Sequence, residues 1–254
     1  MSNTAAIPGP AKPADDKVPG PKTTDVIPTL GRARAFTARI DMRSHEDPGV
    51  RAALRRGVGK DLDAVPFMHR FVASWLTDEQ TRNRDVQRAY YTVASLIAAQ
   101  RRDQYAAAKN GAKQDDQAGG PEEGASDIPG PAASKRNRPR SLGHAFADGV
   151  LKGGQGSGLR ETSAETRLNL LTRQSVDGLH RHLPGAVRQL RDRDVEIDWA
   201  RLLVDLCQWR RRSATIRRIW LQDYHRTLQK DGERRALAQD DTQANADDTD
   251  STDA

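Results

Sequence analysis

The hydrophobic positions of this chain recur at helical spacing. In DWARLLVDLCQW the apolar residues follow the i, i+3, i+4, i+7 rule of an amphipathic helix: Trp199, Leu202, Leu203, Leu206 and Trp209. Ser213 restarts a last helix, whose apolar residues between Ile216 and Leu228 share one side. Alternating runs of β-branched residues, and hairpin turns between such runs, are nearly absent. The pattern predicts an all-α fold.

Helix start signals recur along the chain. They are single N-cap residues or the paired residues of a capping box: Asp47 before Pro48, Asp63, Thr77 with Gln80, Thr162 with Glu165, and Asp198. Each signal supplies a side-chain oxygen for backbone N–H groups that a helix leaves unpaired at its start. The helix after Thr77 is predicted to continue to about Tyr105.

Three stretches of the chain show no helical periodicity. Two are rich in Pro, Gly and Ala, and the third is acidic and lacks aromatic residues. We therefore predict two helical bundles joined by a long flexible insertion, with disordered N- and C-terminal tails. The boundaries are a disordered arm over 1–30, an N-terminal helical domain over 31–105, a flexible linker over 106–139, a C-terminal helical domain over 140–230 and an acidic disordered tail over 231–254.

Charge is distributed unevenly between these segments. Residues 31–105 carry a net charge of +5 and residues 140–230 carry +7, whereas residues 231–254 carry −6. Arginine outnumbers lysine in both basic segments, and its planar guanidinium can bind a phosphate through two hydrogen bonds. An arginine-rich composition also follows from a high-GC genome, so composition alone does not decide between these explanations.

The sequence also bears on the cellular compartment. The single cysteine, Cys207, lies in an apolar helical pattern and cannot form an internal disulfide, which is typical of a reducing interior. No apolar run approaches the roughly 18–20 residues needed to cross a bilayer, and the N-terminus has no hydrophobic signal-peptide region. We expect a cytoplasmic protein without a membrane partner.

The sequence contains no recognised catalytic or metal-binding motif. The glycines of GGQGSG (153–158) are not followed by Lys-Ser or Lys-Thr, so they predict a flexible turn rather than a phosphate loop. His180 and His182 would point to different sides of a helix, and no cysteine or carboxylate cluster joins them at zinc spacing. Cys207 is expected to be a small core residue. We expect no enzyme activity, no catalytic residue, no metal ion and no cofactor.

The arginines around the last two predicted helices suggest a ligand. Arg210, Arg211 and Arg212 crowd one helix end, where the helix dipole and the unpaired carbonyls favour one or two of them. Arg217 and Arg218 follow within a turn of the next helix, and like charges this close repel unless an anion neutralises them. The arrangement favours contact with a nucleic-acid backbone over a merely basic surface.

Four runs of sequence, taken in order, form a specific set. They are GVRAALRRGVGKDLDAVPFMHRFV (49–72), SLGHAFADG (141–149), ETRLNLLTRQSVDGLHRHL (165–183) and DWARLLVDLCQWRRRSATIRRIWLQDYH (198–225). The set resembles the CasB family, the small subunit of the type I-E CRISPR surveillance complex Cascade. The resemblance covers nearly all of both basic segments.

The resemblance implies an all-helical subunit without catalytic activity. Its basic surface would stabilise guide RNA–target DNA pairing and the displaced strand of the R-loop. The implied partners are the other Cascade subunits, CRISPR RNA, the target and displaced DNA strands, and a second copy of the chain. The basic positions of the family correspond to ten residues that we predict to bind nucleic acid: Arg55, Arg56, Arg167, Arg173, Arg181, Arg210, Arg211, Arg212, Arg217 and Arg218.

A stand-alone helical DNA-binding transcriptional regulator is the alternative function, since basic recognition helices would serve it as well. Arginines spread over both segments favour the Cascade subunit, because a helix-turn-helix protein concentrates its contacts on one helix. The acidic residues 231–254 suggest a further hypothesis, in which the tail mimics nucleic acid and covers the basic face of the free protein.

Overall fold

The computed structural model describes residues 26–100, 139–152 and 158–250, with side chains as far as Asp240. These ranges contain helices and no strand, which confirms the predicted all-α fold. Most of the predicted N-terminal arm, nearly all of the predicted linker, the glycine-rich residues 153–157 and residues 251–254 lie outside the described residues. Within the described ranges, no helix is both long enough and apolar enough to cross a membrane.

Nine α-helices make up these ranges. They are α1 (Leu30–Glu46), α2 (Pro48–Arg55), α3 (His69–Val72), α4 (Asp78–Thr81), α5 (Arg84–Ala98), α6 (Leu142–Leu151), α7 (Glu161–Thr172), α8 (Val176–Arg191) and α9 (Trp199–Asp250). Short 3-10 turns at Leu62–Ala64, Pro66–Met68 and Ala73–Trp75 surround α3.

Side-chain caps begin several helices where the sequence predicts them. Asp47 accepts hydrogen bonds from two backbone N–H groups of α2, with Pro48 in the first turn. Asp198 accepts one from the first turn of α9 at 2.8 Å. Thr77 and Gln80 form both bonds of the predicted capping box. The helix that this box begins, α4, has only four residues, so the predicted long helix is divided before α5.

Two predicted helix starts are wrong. Asp61 rather than Asp63 caps the chain after α2, and it begins a 3-10 turn. Pro66 has no backbone N–H, and the run AVPFMHRFVASWL is divided into short turns around α3 instead of forming one helix. α7 begins at Glu161, so Thr162 lies inside the helix and not at its cap.

The helices on both sides of the predicted linker share one continuous hydrophobic core. α5 lies at its centre, and every residue from Ala89 to Ala98 is buried. The helix packs against α1, α2, α8 and α9, and α1 also packs against α9. Phe36 of α1 meets Tyr90 of α5 edge to face, with ring centroids 4.8 Å apart. The boundaries of the two domains stay a prediction.

Polar contacts align α5 with α8. Arg88 pairs with Asp177, and one turn further along both helices Thr92 Oγ1 lies 2.9 Å from His180 Nδ1. Burial lowers the pKa of His180 to about 4, so its imidazole is neutral near pH 7. Within the described residues, no group of three His, Cys, Asp or Glu side chains could hold a metal ion. His180 is buried, and its contact with Thr92 joins α8 to α5.

Candidate nucleic-acid interface

The predicted basic residues concentrate where α9 changes direction. Arg212 has a φ of −128° and a ψ of 21°, which interrupts the helix. The interruption divides α9 into a first arm, residues 199–211, and a second arm, residues 213–250. The helix restart predicted at Ser213 is therefore confirmed. We call residues 205–220 the vertex.

The inner side of the vertex is buried. Trp220 Nε1 donates a hydrogen bond to Asp205 Oδ2 at 2.8 Å, and the rings of Trp209 and Trp220 are 5.1 Å apart. In a straight helix, residues fifteen apart would be about 22 Å apart along the axis, so the two arms fold sharply against each other. Burial raises the pKa of Asp205, and bonds from Arg201 and Trp220 act in the opposite direction.

α6 packs closely on the second arm. A Cβ added to Gly143 would lie 1.8 Å from the backbone oxygen of Trp220. No side chain fits at this distance, so the glycine of the SLG motif allows α6 and α9 to approach each other. The close approach fixes the second arm relative to the rest of the core.

Ser141, His144 and Asp223 lie together at the start of α6, but they are not arranged for nucleophilic catalysis. Ser141 Oγ donates to Asp223 Oδ2 at 2.6 Å, and both side chains approach the same nitrogen, His144 Nδ1, at 3.2 and 3.3 Å. A catalytic triad places its serine and its carboxylate on opposite imidazole nitrogens. The cluster ties α6 to the second arm.

One backbone carbonyl joins both arms of α9 to the end of α7. Gln174 O accepts a hydrogen bond from Trp209 Nε1 at 3.2 Å and another from Arg217 Nη2 at 2.9 Å. The guanidinium of Arg217 also lies over the Trp209 ring, 5.6 Å from its centroid. Arg173, the C-cap residue of α7, is thereby placed beside the vertex.

Arg210 connects the vertex to the central helix α5. Its Nε and Nη2 donate to the two carboxylate oxygens of Asp85, the second bond being 3.0 Å long. The hydrogen bond from Arg210 lowers the pKa of Asp85 below its ordinary value. The Asp85 side chain is 19% exposed and that of Arg210 is 68% exposed, so the carboxylate is the more fixed partner.

Other arginines in the vertex and beside it face solvent. Arg173, Arg211 and Arg218 are exposed, and no ion pair joins them to any side chain in the described part of the chain. Arg212 is also exposed, and its Nη1 donates to Gln208 Oε1 at 3.3 Å. The outer side of the vertex therefore carries positive charge that the fold does not neutralise.

The remaining four predicted residues lie on other helices. Arg167 is half-buried on α7, and its Nη1 approaches α8 at Gly185. Arg181 is exposed on α8. Arg55 ends α2 and Arg56 is its C-cap, and both are exposed. The structure thus gathers six of the ten predicted arginines around the vertex.

Two residues that shape this site are not among those predicted from the sequence. Asp85 pairs with Arg210, which is 125 positions away, and the Gln174 carbonyl holds Arg217, which is 43 positions away. No spacing rule links residues so distant along the chain, and a backbone carbonyl carries no sequence signal. A first-turn aspartate on a helix is usually explained by the helix dipole alone.

The second arm also bears on the tail hypothesis. It continues as helix through the first twenty residues of the predicted acidic tail, to Asp250. Between Ser213 and Asp240 the helix extends about 40 Å. In this arrangement the helix carries residues 231–240 away from the vertex, and covering of the basic face by the rest of the tail stays a hypothesis.

The chain is similar to a known protein family and to chains in solved structures. The chain matches the family model of CRISPR-associated protein Cse2 over residues 50–225. Two solved structures, described as a CRISPR RNA-guided surveillance complex and the same kind of complex before nicking, each contain a chain 34% identical to this one, with TM-scores of 0.61 and 0.62. Both alignments cover 81% of this chain and 98% of the other.

The crystal structure of M. ruber CasB is similar as well, at 25% identity with a TM-score of 0.57, over 81% of this chain and 98% of that one. No curated protein sequence matches the chain. The family match includes the vertex and all ten predicted arginines. The chain therefore belongs to the CRISPR-associated protein Cse2 family, and its resemblance to CasB is confirmed.

Proposed function

We propose that the protein is a non-catalytic structural subunit of a type I-E Cascade ribonucleoprotein complex. It binds nucleic-acid backbone through a basic surface centred on the vertex, and so stabilises guide RNA–target DNA pairing and the displaced strand of the R-loop. The observation that carries the proposal is the 34% identity, over 81% of this chain, to chains of CRISPR RNA-guided surveillance complexes.

The exposed vertex supports a backbone-binding role. Forming an R-loop exchanges one duplex for another of similar stability, so modest contacts to the backbone are enough to shift the balance. Arg173, Arg211 and Arg218 offer guanidinium groups from α7 and from both arms of α9, without acidic partners among the described residues. Arginines that follow a phosphate backbone need no base-specific contact.

The partners of such a subunit are the other Cascade proteins, CRISPR RNA, the target and displaced DNA strands, and a second copy of the chain. The regulator alternative has less support. The predicted arginines lie on α2, α7, α8 and α9 and not on a single recognition helix, and the similar chains come from surveillance complexes.

Affinity purification of the tagged protein from its native host tests this function. We expect a fixed set of partner subunits together with short repeat-derived RNAs. Recovery of the protein alone, or with heterogeneous DNA, would contradict the proposal and favour the regulator. A tagged variant in which Arg173, Arg211 and Arg218 are all replaced by alanine separates assembly from binding, because it should recover the same subunits and retain less target DNA.

A further inference from the structure

We propose that Arg210 is a positioning residue. It holds the vertex against α5 through Asp85 and so directs Arg211 and Arg218 at the nucleic acid, but it does not bind a phosphate itself. This inference rests on the proposed function, and it divides the arginine triplet into one structural residue and two that face the ligand.

The geometry of the pair disfavours a phosphate contact on the side of Arg210 that faces Asp85. Both oxygens of Asp85 accept bonds from the Nε–Nη2 edge of the guanidinium, so one donor on each of these two nitrogens is occupied. A phosphate that displaced Asp85 would leave that carboxylate unpaired beside a second anion. Asp85 is half-buried in the first turn of α5 and is less exposed than Arg210, so it is the more fixed partner of the pair.

The position of the pair explains how it would act. Arg210 lies two residues before the break at Arg212, so its ion pair with Asp85 of α5 fixes the end of the first arm. The Gln174 carbonyl holds the two arms to α7 through Trp209 and Arg217. With the end of the first arm anchored on two sides, Arg211 has a defined direction even though its side chain makes no ion pair in the described part of the chain.

The substitution Asp85→Asn separates the two roles by the sign of its effect. It removes a negative charge and releases Arg210. If Arg210 were a phosphate ligand held in competition by Asp85, or if only overall charge mattered, binding would become tighter. If Arg210 is a positioning residue, binding becomes weaker, by about two- to fivefold as expected for an exposed ion pair.

The measurement is fluorescence anisotropy of a labelled polythymidine strand with the full-length chain at low salt. Asp63→Asn is the matched control, because it removes the same charge from a neighbouring exposed carboxylate that pairs with Arg84. The control should bind as tightly as the wild type or slightly more tightly. An Asp85→Asn chain that binds as tightly as the control overturns the proposal.

Amide hydrogen exchange of residues 205–220 supplies a second readout that needs no nucleic acid. We expect faster exchange in Asp85→Asn and unchanged exchange in Asp63→Asn, and unchanged exchange in both variants would also overturn the positioning role. A wild-type chain that binds no strand contradicts the proposed backbone binding by the vertex, whereas faster exchange in Asp85→Asn still shows that this pair holds the vertex. The failures of the two proposals are therefore distinguishable.

Discussion

The inner and outer sides of the vertex come from the same stretch of sequence but differ in almost every physical respect. On the inner side, Trp209 and Trp220 are buried, and Asp205 is hydrogen-bonded to the Trp220 indole. On the outer side, Arg211 and Arg218 are exposed, and no acidic side chain in the described ranges pairs with them. Packing and hydrogen bonds within the fold explain the inner residues, whereas they do not explain why arginines occupy the outer positions.

This difference indicates where function lies. Buried polar groups must be paired because an unpaired one costs stability. Exposed arginines that repel one another contribute nothing comparable to folding, so they can be replaced without unfolding the chain. We therefore expect substitutions on the inner side to change stability and substitutions on the outer side to change binding.

The largest expected effect is that of Trp220→Ala. The side chain is fully buried between the arms, so its removal should lower the free energy of unfolding by about 3–5 kcal/mol. Trp199→Ala should cost clearly less, because Trp199 is only partly buried and borders an open groove of about 300 Å³ beside α1. Urea denaturation followed by circular dichroism compares the two variants, and equal losses would contradict the contrast.

Gly143→Ala should also destabilise the inner side, by about 3 kcal/mol. The new methyl group would overlap the backbone of Trp220, and a backbone atom cannot move aside as a flexible side chain can. Gly232→Ala is the matched control, because nothing lies within 4 Å of a Cβ at that exposed helical position. The control should leave stability unchanged or raise it slightly, and a stable Gly143→Ala chain would show that α6 does not pack so closely on α9.

His180 extends the contrast to a titratable group in the core. Its pKa is about 4 in the folded chain and near 6.5 when unfolded, so the unfolded chain binds the proton more readily. The free energy of unfolding is therefore highest above pH 6.5. It falls by about 2–3 kcal/mol as the pH drops towards 4, because the unfolded chain takes up the proton first. Urea denaturation from pH 7.5 to 4 measures this loss.

Asparagine substitutions provide the control for this pH dependence. In His180→Asn, most of the decrease in the free energy of unfolding between pH 6.5 and 4 should disappear. In His182→Asn, which changes a half-exposed neighbour on the same helix, the decrease should be as large as in the wild type. If the wild type and His180→Asn lost stability in parallel, the loss would have to come from other groups.

Sequence patterns predicted the inner side well because it depends on local periodicity. The spacing of Trp199 to Trp209 and the restart at Ser213 correctly predicted where both arms of α9 begin. The wrong helix start at Asp63 has a local cause too, since Pro66 interrupts the run that follows it. The continuity of the core across the predicted linker, by contrast, depends on contacts between distant segments.

The sequence predicts the arginines of the outer side as a set, but it does not predict which of them pair with other groups of the fold. Arg210, Arg211 and Arg212 are equivalent in sequence, and only the fold shows that Arg210 meets Asp85. Arg217 likewise turns inward to a carbonyl and an indole ring. Which member of an arginine run is paired depends on the tertiary neighbours, and these cannot be deduced from the run itself.

Replacing Arg211 and Arg212 together by alanine should have the smallest effect on stability and the clearest effect on binding. Both side chains are exposed, so the free energy of unfolding should change by no more than about 0.5 kcal/mol. Each lost phosphate contact on a single strand reduces the magnitude of the slope of log K against log salt by about 0.7. The slope of the double variant should therefore be smaller in magnitude by about 1.4. Titrations of a polythymidine strand at several salt concentrations measure this slope.

The matched control is the pair Arg226→Ala and Lys230→Ala, which removes the same charge from exposed positions further along the second arm. If only net charge governed binding, both double variants would weaken it equally and the vertex would have no special role. If the arginines of the vertex contact the backbone, only the first variant reduces the salt slope. Unfolding of the Arg211 and Arg212 variant would instead show that these side chains belong to the inner, structural side of the vertex.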